Sequence, residues 1–379
     1  MKMKALLIGI IGIFLLIQPI SAQTWGPSKR LTWNPGISHF PAIAVDSNDY
    51  IHVLCHDNSP GNFEIFHKKS TDGGATWTSK RLTFNSGHSL ARDIAIDSSD
   101  NIHLVWEDST PGDFEIYYKK STDGGITWTT KRLTWNSGNS EYPALAIDSN
   151  NHIHVVWEDS TPANPEIYYT KSTNGGASWM TKRLTYTSGW SGFSFVAVDS
   201  NNHLYVVWTD STHGNYEVYY KRSTNGGTTW TTKRLTWNAG SSYVKDLAVD
   251  SNDYIHVVWE DDTPGDSEIY FKKSTDGGAS WMTKRLTYNA GYSYDPALAI
   301  DTNNHIHVVW SDGSLGGNYE ILYKRSTDGG TTWTTKRLTF NSGPSYLPSI
   351  VADSKNHLHV LWGDETPGNW EIYYKKGIQ

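Results

Sequence analysis

Cysteine is nearly absent: Cys55 stands alone among 379 residues, so no internal disulfide can hold the chain together. A large apolar core must do so instead. Basic runs are missing too. Lysine and arginine number 32 against 39 acidic residues, a formal charge of −7, and their scatter excludes the electrostatic footprint of a nucleic-acid binder. No stretch shows helical periodicity. Long apolar runs are confined to the start, where Lys2 and Lys4 precede Ala5 to Ile17 and Ile20-Ser21-Ala22 offers a cleavage site. A membrane anchor is the competing reading. Gln18 and Pro19 interrupt the run, so residues 1–22 are read as a signal peptide and 23–379 as the mature chain. Loss of Lys2 and Lys4 takes the charge to −9. No second segment is apolar enough to span a bilayer, and the expected destination is secreted or extracytoplasmic, with retention at the cell surface left open.

What is present is repetition. Lys-Arg-Leu-Thr begins at Lys29, Lys80, Lys131, Lys182, Lys233, Lys284 and Lys336, a step of 51 residues five times and then 52. Between these marks Ser-Thr-Asp/Asn-Gly-Gly-x-x-Trp recurs six times, at Asp72, Asp123, Asn174, Asn225, Asp276 and Asp328. Such a period signals a propeller or an array.

The copy from Asn85 to Asn136 reads as four short strands. Asp93 to Asp97 is the first. Ile102 to Asp108 alternates, with Ile102, Leu104 and Trp106 on one face and His103, Val105 and Glu107 on the other. Phe114 to Lys120 and Thr129 to Trp135 follow, each bounded by turn residues. Four antiparallel strands per copy make a propeller blade. The last copy stops at Lys376, where another box would begin, while Thr24-Trp25 and Lys29 to Trp33 match a box end and a fourth strand. Pairing these ends removes a free sheet edge. The predicted fold is all-β: a seven-bladed propeller closed by the N-terminal strand, one domain over 23–379.

The box resembles the Asp-box, or BNR repeat, of the sialidase superfamily, and the resemblance covers the whole mature chain. In that family it is the hairpin between strands three and four. Its Asp can accept amide hydrogen bonds of its own turn, its glycines permit positive φ, and its Trp anchors the turn. Asn174 and Asn225 keep the acceptor and lose the charge, which favours a structural role over a metal or catalytic one.

Family resemblance implies an exo-sialidase only if the site is present. Sialidases hold a carboxylate with three arginines, carry Phe/Tyr-Arg-Ile/Leu-Pro, and use a Tyr/Glu pair and an Asp. Here Arg30, Arg81, Arg132, Arg183, Arg234, Arg285 and Arg337 belong to the repeated phrase, and Arg222 and Arg325 precede boxes. Arg92 alone is expected near the central opening, and the Phe/Tyr-Arg motif does not occur. No catalytic residue is therefore assigned. The repeated histidines (His52, His103, His154, His256, His307 and His359) are read as packed strand residues rather than a zinc cluster. The repeated acids, Asp57 to Asp364 and Glu64 to Glu371, are read as partners of turn amides or of the Lys-Arg pair, with a sevenfold ligand site as the sharper alternative. No cofactor or metal is expected.

Departures between copies cluster between the fourth strand of one blade and the first of the next. Arg92, Glu141, Tyr142, Trp190, Tyr243, Lys245, Tyr292 and Asp295 are the candidate ligand-binding residues, expected on the face opposite the boxes. Relaxed drift in loops competes with this reading. The expected function is a non-catalytic, monomeric, sialidase-like propeller that binds a glycan or a protein surface. A sialidase-type glycoside hydrolase and a purely structural scaffold are the alternatives.

Overall fold

The computed structural model describes residues 23–161 and 163–378, so the expected signal peptide lies outside the described residues. Seven antiparallel sheets follow one another along the chain. Blade two shows the plan: strands Ser89–Ile96, Ile102–Asp108, Glu115–Ser121 and Thr129–Arg132, in sheet order as in sequence. The first strand starts four residues earlier than its sequence suggests. The fourth ends three residues sooner, which leaves Trp135 outside the ladder.

All seven residues of the second strand are buried in every blade. Its alternation is chemical rather than a division between core and water, because neighbouring blades cover both faces. Trp208, for example, packs with Leu204 and Val206 against Val156, Ile167 and Leu184 of the preceding blade. The polar members of the strand have fixed partners. His103 pairs through Nε2 with Asp97 at 3.0 Å and through Nδ1 with the Tyr118 hydroxyl at 2.7 Å. The relay recurs around the ring, with His67 replacing the tyrosine in blade one and Tyr205 the histidine in blade four. In blade five Phe271 replaces the tyrosine, and His256 Nδ1 is left buried without a partner.

Each box is a closed piece of turn chemistry. Asp123 accepts hydrogen bonds from the Ser121 hydroxyl and the Thr127 amide, both at 2.8 Å, and Trp128 Nε1 donates to the Gly125 carbonyl at 3.0 Å. Asn174 reproduces the amide bond with Ser178 at 2.9 Å, so the charge is dispensable. Gly125 has φ near +94°, and a Cβ there would meet His67 of the preceding blade.

Ring closure follows the expected plan. Thr24–Trp25 pairs with Gly377 and Ile378, and Lys29–Arg30 with Tyr373 and Tyr374, completing blade seven as an interrupted fourth strand. Trp25 also takes the place of a box tryptophan. Its ring meets Tyr323 of blade six edge-on at 5.1 Å, as Trp179 meets Tyr118. Between blades seven and one, Cys55 stands where the other six blades carry a buried Trp, and a pocket of about 590 Å³ opens beside it. Burial pushes the Cys55 thiol up to about 12. Among the described residues no helix is long and apolar enough to cross a membrane.

Candidate functional site

First strands line the central opening, a cavity of about 470 Å³ at the box-free end. In five blades the third residue of this strand has left-handed backbone: Phe40, Tyr142, Phe193, Asp295 and Leu347, with φ of 48–53°. Such conformations cost roughly 1 kcal/mol or more for side chains of this size. Each accompanies a register shift against the second strand, the kind of bulge that re-aims side chains. Blades two and five differ. There the shift falls one residue later, between Ala91 and Asp93 and between Val244 and Asp246, so the extra residues are the cations Arg92 and Lys245.

Each cation is held by a carboxylate of its own blade and by side chains of its neighbours. Arg92 forms an ion pair with buried Glu107, and its guanidinium lies 4.3 Å from the Tyr142 ring and 5.3 Å from Phe40. Glu107 also accepts the Tyr142 amide at 2.6 Å. Lys245 pairs with Glu260 at 3.2 Å and with Asp295 at 3.0 Å, and Glu260 accepts the Asp295 amide. The same device thus occurs twice, in blades two and three and in blades five and six. Next to each cation a half-buried aspartate ties two blades together: Asp93 accepts the Leu145 amide and Asp246 the Leu298 amide, each at 2.8 Å.

Burial dominates the electrostatics here. It raises Asp93 to about 6, Asp246 to about 7, and Glu158 to about 8, with Glu141 and Glu107 adding to the last. Burial likewise outweighs the Lys245 ammonium and lifts Glu260 to about 7. Burial opposes the charge on Arg92 and Lys245, but their carboxylate partners more than offset it and both cations stay protonated.

Four of the eight candidate residues, Arg92, Tyr142, Lys245 and Asp295, line this cavity. The other four do not. Glu141 pairs in register with Glu158 at the top of blade three. Trp190 contacts Phe193 and Tyr216 at ring distances of 5.2 and 5.6 Å, Tyr243 lies 5.0 Å from Tyr216, and half-exposed Tyr292 stacks on Tyr294 at 5.5 Å. Sequence reasoning missed Glu107, Glu158 and Glu260, which occupy one second-strand position filled elsewhere by His56, Thr209, Ser311 and Gly363. Disagreement between copies marked that position as clearly as it marked the loops. The surrounding strand positions repeat so closely that they mask it.

An arc of rings lies outside this lining, where His39, Tyr294 and Tyr346 adjoin the lining residues Phe40, Asp295 and Leu347 in sequence. Tyr292, Tyr294, Tyr319, Tyr346, Trp370 and His39 follow one another at centroid distances of 4.7–6.0 Å across blades six, seven and one. All are at least partly exposed. Among the described residues Arg92 is the one arginine lining the cavity.

The BNR repeat-containing family matches residues 116–290. BNR repeats therefore occur in the central blades, in agreement with the boxes. The chain is 28% identical over 317 residues to a xyloglucanase of Acetivibrio thermocellus, covering 69% of this chain and 35% of the relative. This chain therefore spans about a third of the length of that enzyme. Its fold is shared with a polysaccharide lyase named as an ulvan lyase (TM-score 0.67, 10% identity, 91% of this chain and 95% of that one). It is shared also with a sialidase from Streptococcus pneumoniae (TM-score 0.51, 14% identity, 90% and 68%). At these identities the likeness establishes the propeller and nothing finer.

Proposed function

We propose that this BNR propeller is an exported protein that binds neutral glycan chains on its box-free face without transforming them. The arc from Tyr292 to His39 carries the reading. Its rings offer consecutive planes for the C–H faces of sugars, beside an opening supplied with carboxyl and hydroxyl groups for their hydroxyls. A carbohydrate role accords with the curated relatives, which are named as xyloglucanases, and with the ulvan lyase and sialidase that share the fold. Neutral sugars fit better than acidic ones. Arg92 and Lys245 are each engaged by carboxylates, so a ligand carboxylate would have to displace Glu107 or Glu260. Affinity electrophoresis in gels holding xyloglucan, arabinan, ulvan or sialylated mucin tests this. Retardation is expected in a neutral-glycan gel and should weaken several-fold when Tyr346 and Trp370 are both changed to Ala. Migration unaltered by all four polymers would reject the reading.

Glu158 favours one alternative, a glycoside hydrolase or lyase. A carboxyl raised to about 8 keeps its proton at neutral pH, as a general acid requires. Sugar release from any of the four polymers, abolished in Glu158→Gln, would establish that chemistry.

A further inference from the structure

The outer rim carries a second feature, and there the blades agree. Where each fourth strand ends, the chain presents one aromatic ring: Trp33, Phe84, Trp135, Tyr186, Trp237, Tyr288 and Phe340. All seven are between 66% and 75% exposed. Rings this open gain little from folding, yet every copy keeps Trp, Tyr or Phe. Beneath each ring lies the arginine of the repeated phrase, 4.4–5.9 Å from the centroid. That arginine is rigid. In blade two Arg132 donates through Nε to the Thr134 carbonyl at 2.6 Å and through Nη2 to buried Glu115 at 2.8 Å. Two of its five donors are used in these bonds. The Tyr117 side chain lies close enough to feel the same charge.

We infer that these seven rim positions are equivalent glycan-binding sites, each taking one sugar ring on the exposed aromatic with hydroxyls directed to the arginine. The symmetry selects the occupant. Seven outward-facing rings spread around a closed ring cannot all meet one protein partner, whereas a polysaccharide or a glycan-coated surface offers the same group many times. Single contacts of this kind are weak, and simultaneous engagement multiplies them. This site is distinct from the central face and stands or falls separately from it.

The test uses the full chain in the same four gels. Changing Trp135, Tyr186 and Trp237 together to Ala removes three adjacent sites. The apparent affinity for the retarding polymer should fall at least about tenfold. The melting temperature should hold, since the rings are exposed. The aromatic-conserving triple variant, with Phe at all three positions, should bind like the wild type. A rim that serves only to pack the arginines predicts unchanged retardation in the Ala variant, and that result would overturn the inference. So would a wild type that no polymer retards. If the Tyr346/Trp370 variant loses binding while the rim variant keeps it, the rim fails and the central reading survives.

Discussion

The central opening and the outer rim are built in opposite ways. At the rim, Glu115, Arg132 and Trp135 come from one blade and lie within about twenty residues of chain, so each site is complete in itself and is copied with the repeat. At the centre, Arg92 of blade two sits between Phe40 of blade one and Tyr142 of blade three, and Asp246 is tied to the backbone of blade six. No blade contains that site. Repetition therefore multiplies the rim, while divergence between copies is needed to give the centre any particular chemistry. The two regions also answer differently to damage, since only the centre depends on every blade keeping its place.

Removing residues 24–33 should break this contrast most severely. Blade seven would lose its fourth strand, and Trp25 its place against Tyr323. We expect the melting temperature to fall by at least about 10 °C in a thermal scan. An unchanged value would mean that the closing strand is an ornament to an already stable ring.

Lys245→Met attacks the centre alone. It leaves Glu260 and Asp295 facing each other, at a cost of about 3 kcal/mol in chemical denaturation. Because Glu260 can escape by taking up a proton, the loss should be larger at pH 8 than at pH 5.

Acidity should distinguish the regions further. Asp93, Asp246, Glu260 and Glu158 have folded values of about 6, 7, 7 and 8, above the usual unfolded values near 4. Between about pH 4.5 and 8 the folded chain therefore holds protons that the unfolded chain has released, and stability falls as pH rises. Glu158→Gln should flatten this slope. A melting temperature that rises steadily from pH 5 to pH 8 would contradict the buried-acid account.

Cys55→Trp concerns the seam that keeps the centre closed. An indole there fills the pocket and can donate to Asp57, as Trp106 donates to Asp108 at 3.2 Å. A gain of about 1–2 kcal/mol is expected, comparable to refilling a cavity of side-chain size. At the rim, Trp135→Ala should move the melting temperature by no more than about 1 °C, because the lost contact is a surface cation–π pair.

Much of the architecture was legible because blades are local objects. The box could be read from Ser121 to Trp128 with no knowledge of what lay beside it, and the matching ends at Thr24-Trp25 and Lys376 specified the closure. Reading went astray where a residue's setting depends on the neighbouring blade. Trp135 belonged by pattern to a strand, but the ladder stops at Arg132, and the ring emerges into solvent. Glu107 looked like one face of an alternating strand, and only stacking of the blades sets it and Glu158 against backbone amides of the next blade, at Tyr142 and Phe193.

The sequence by itself determined the repeat, the number of blades, the turn chemistry of the boxes and the way the ring closes, because each follows from short-range pattern and from counting. Tertiary structure alone decided which divergent residues meet. It placed Arg92, Tyr142, Lys245 and Asp295 around one cavity and set Glu141, Trp190, Tyr243 and Tyr292 outside its lining. It also raised the buried carboxyls, since desolvation depends on every atom nearby rather than on the residue's own neighbours in the chain.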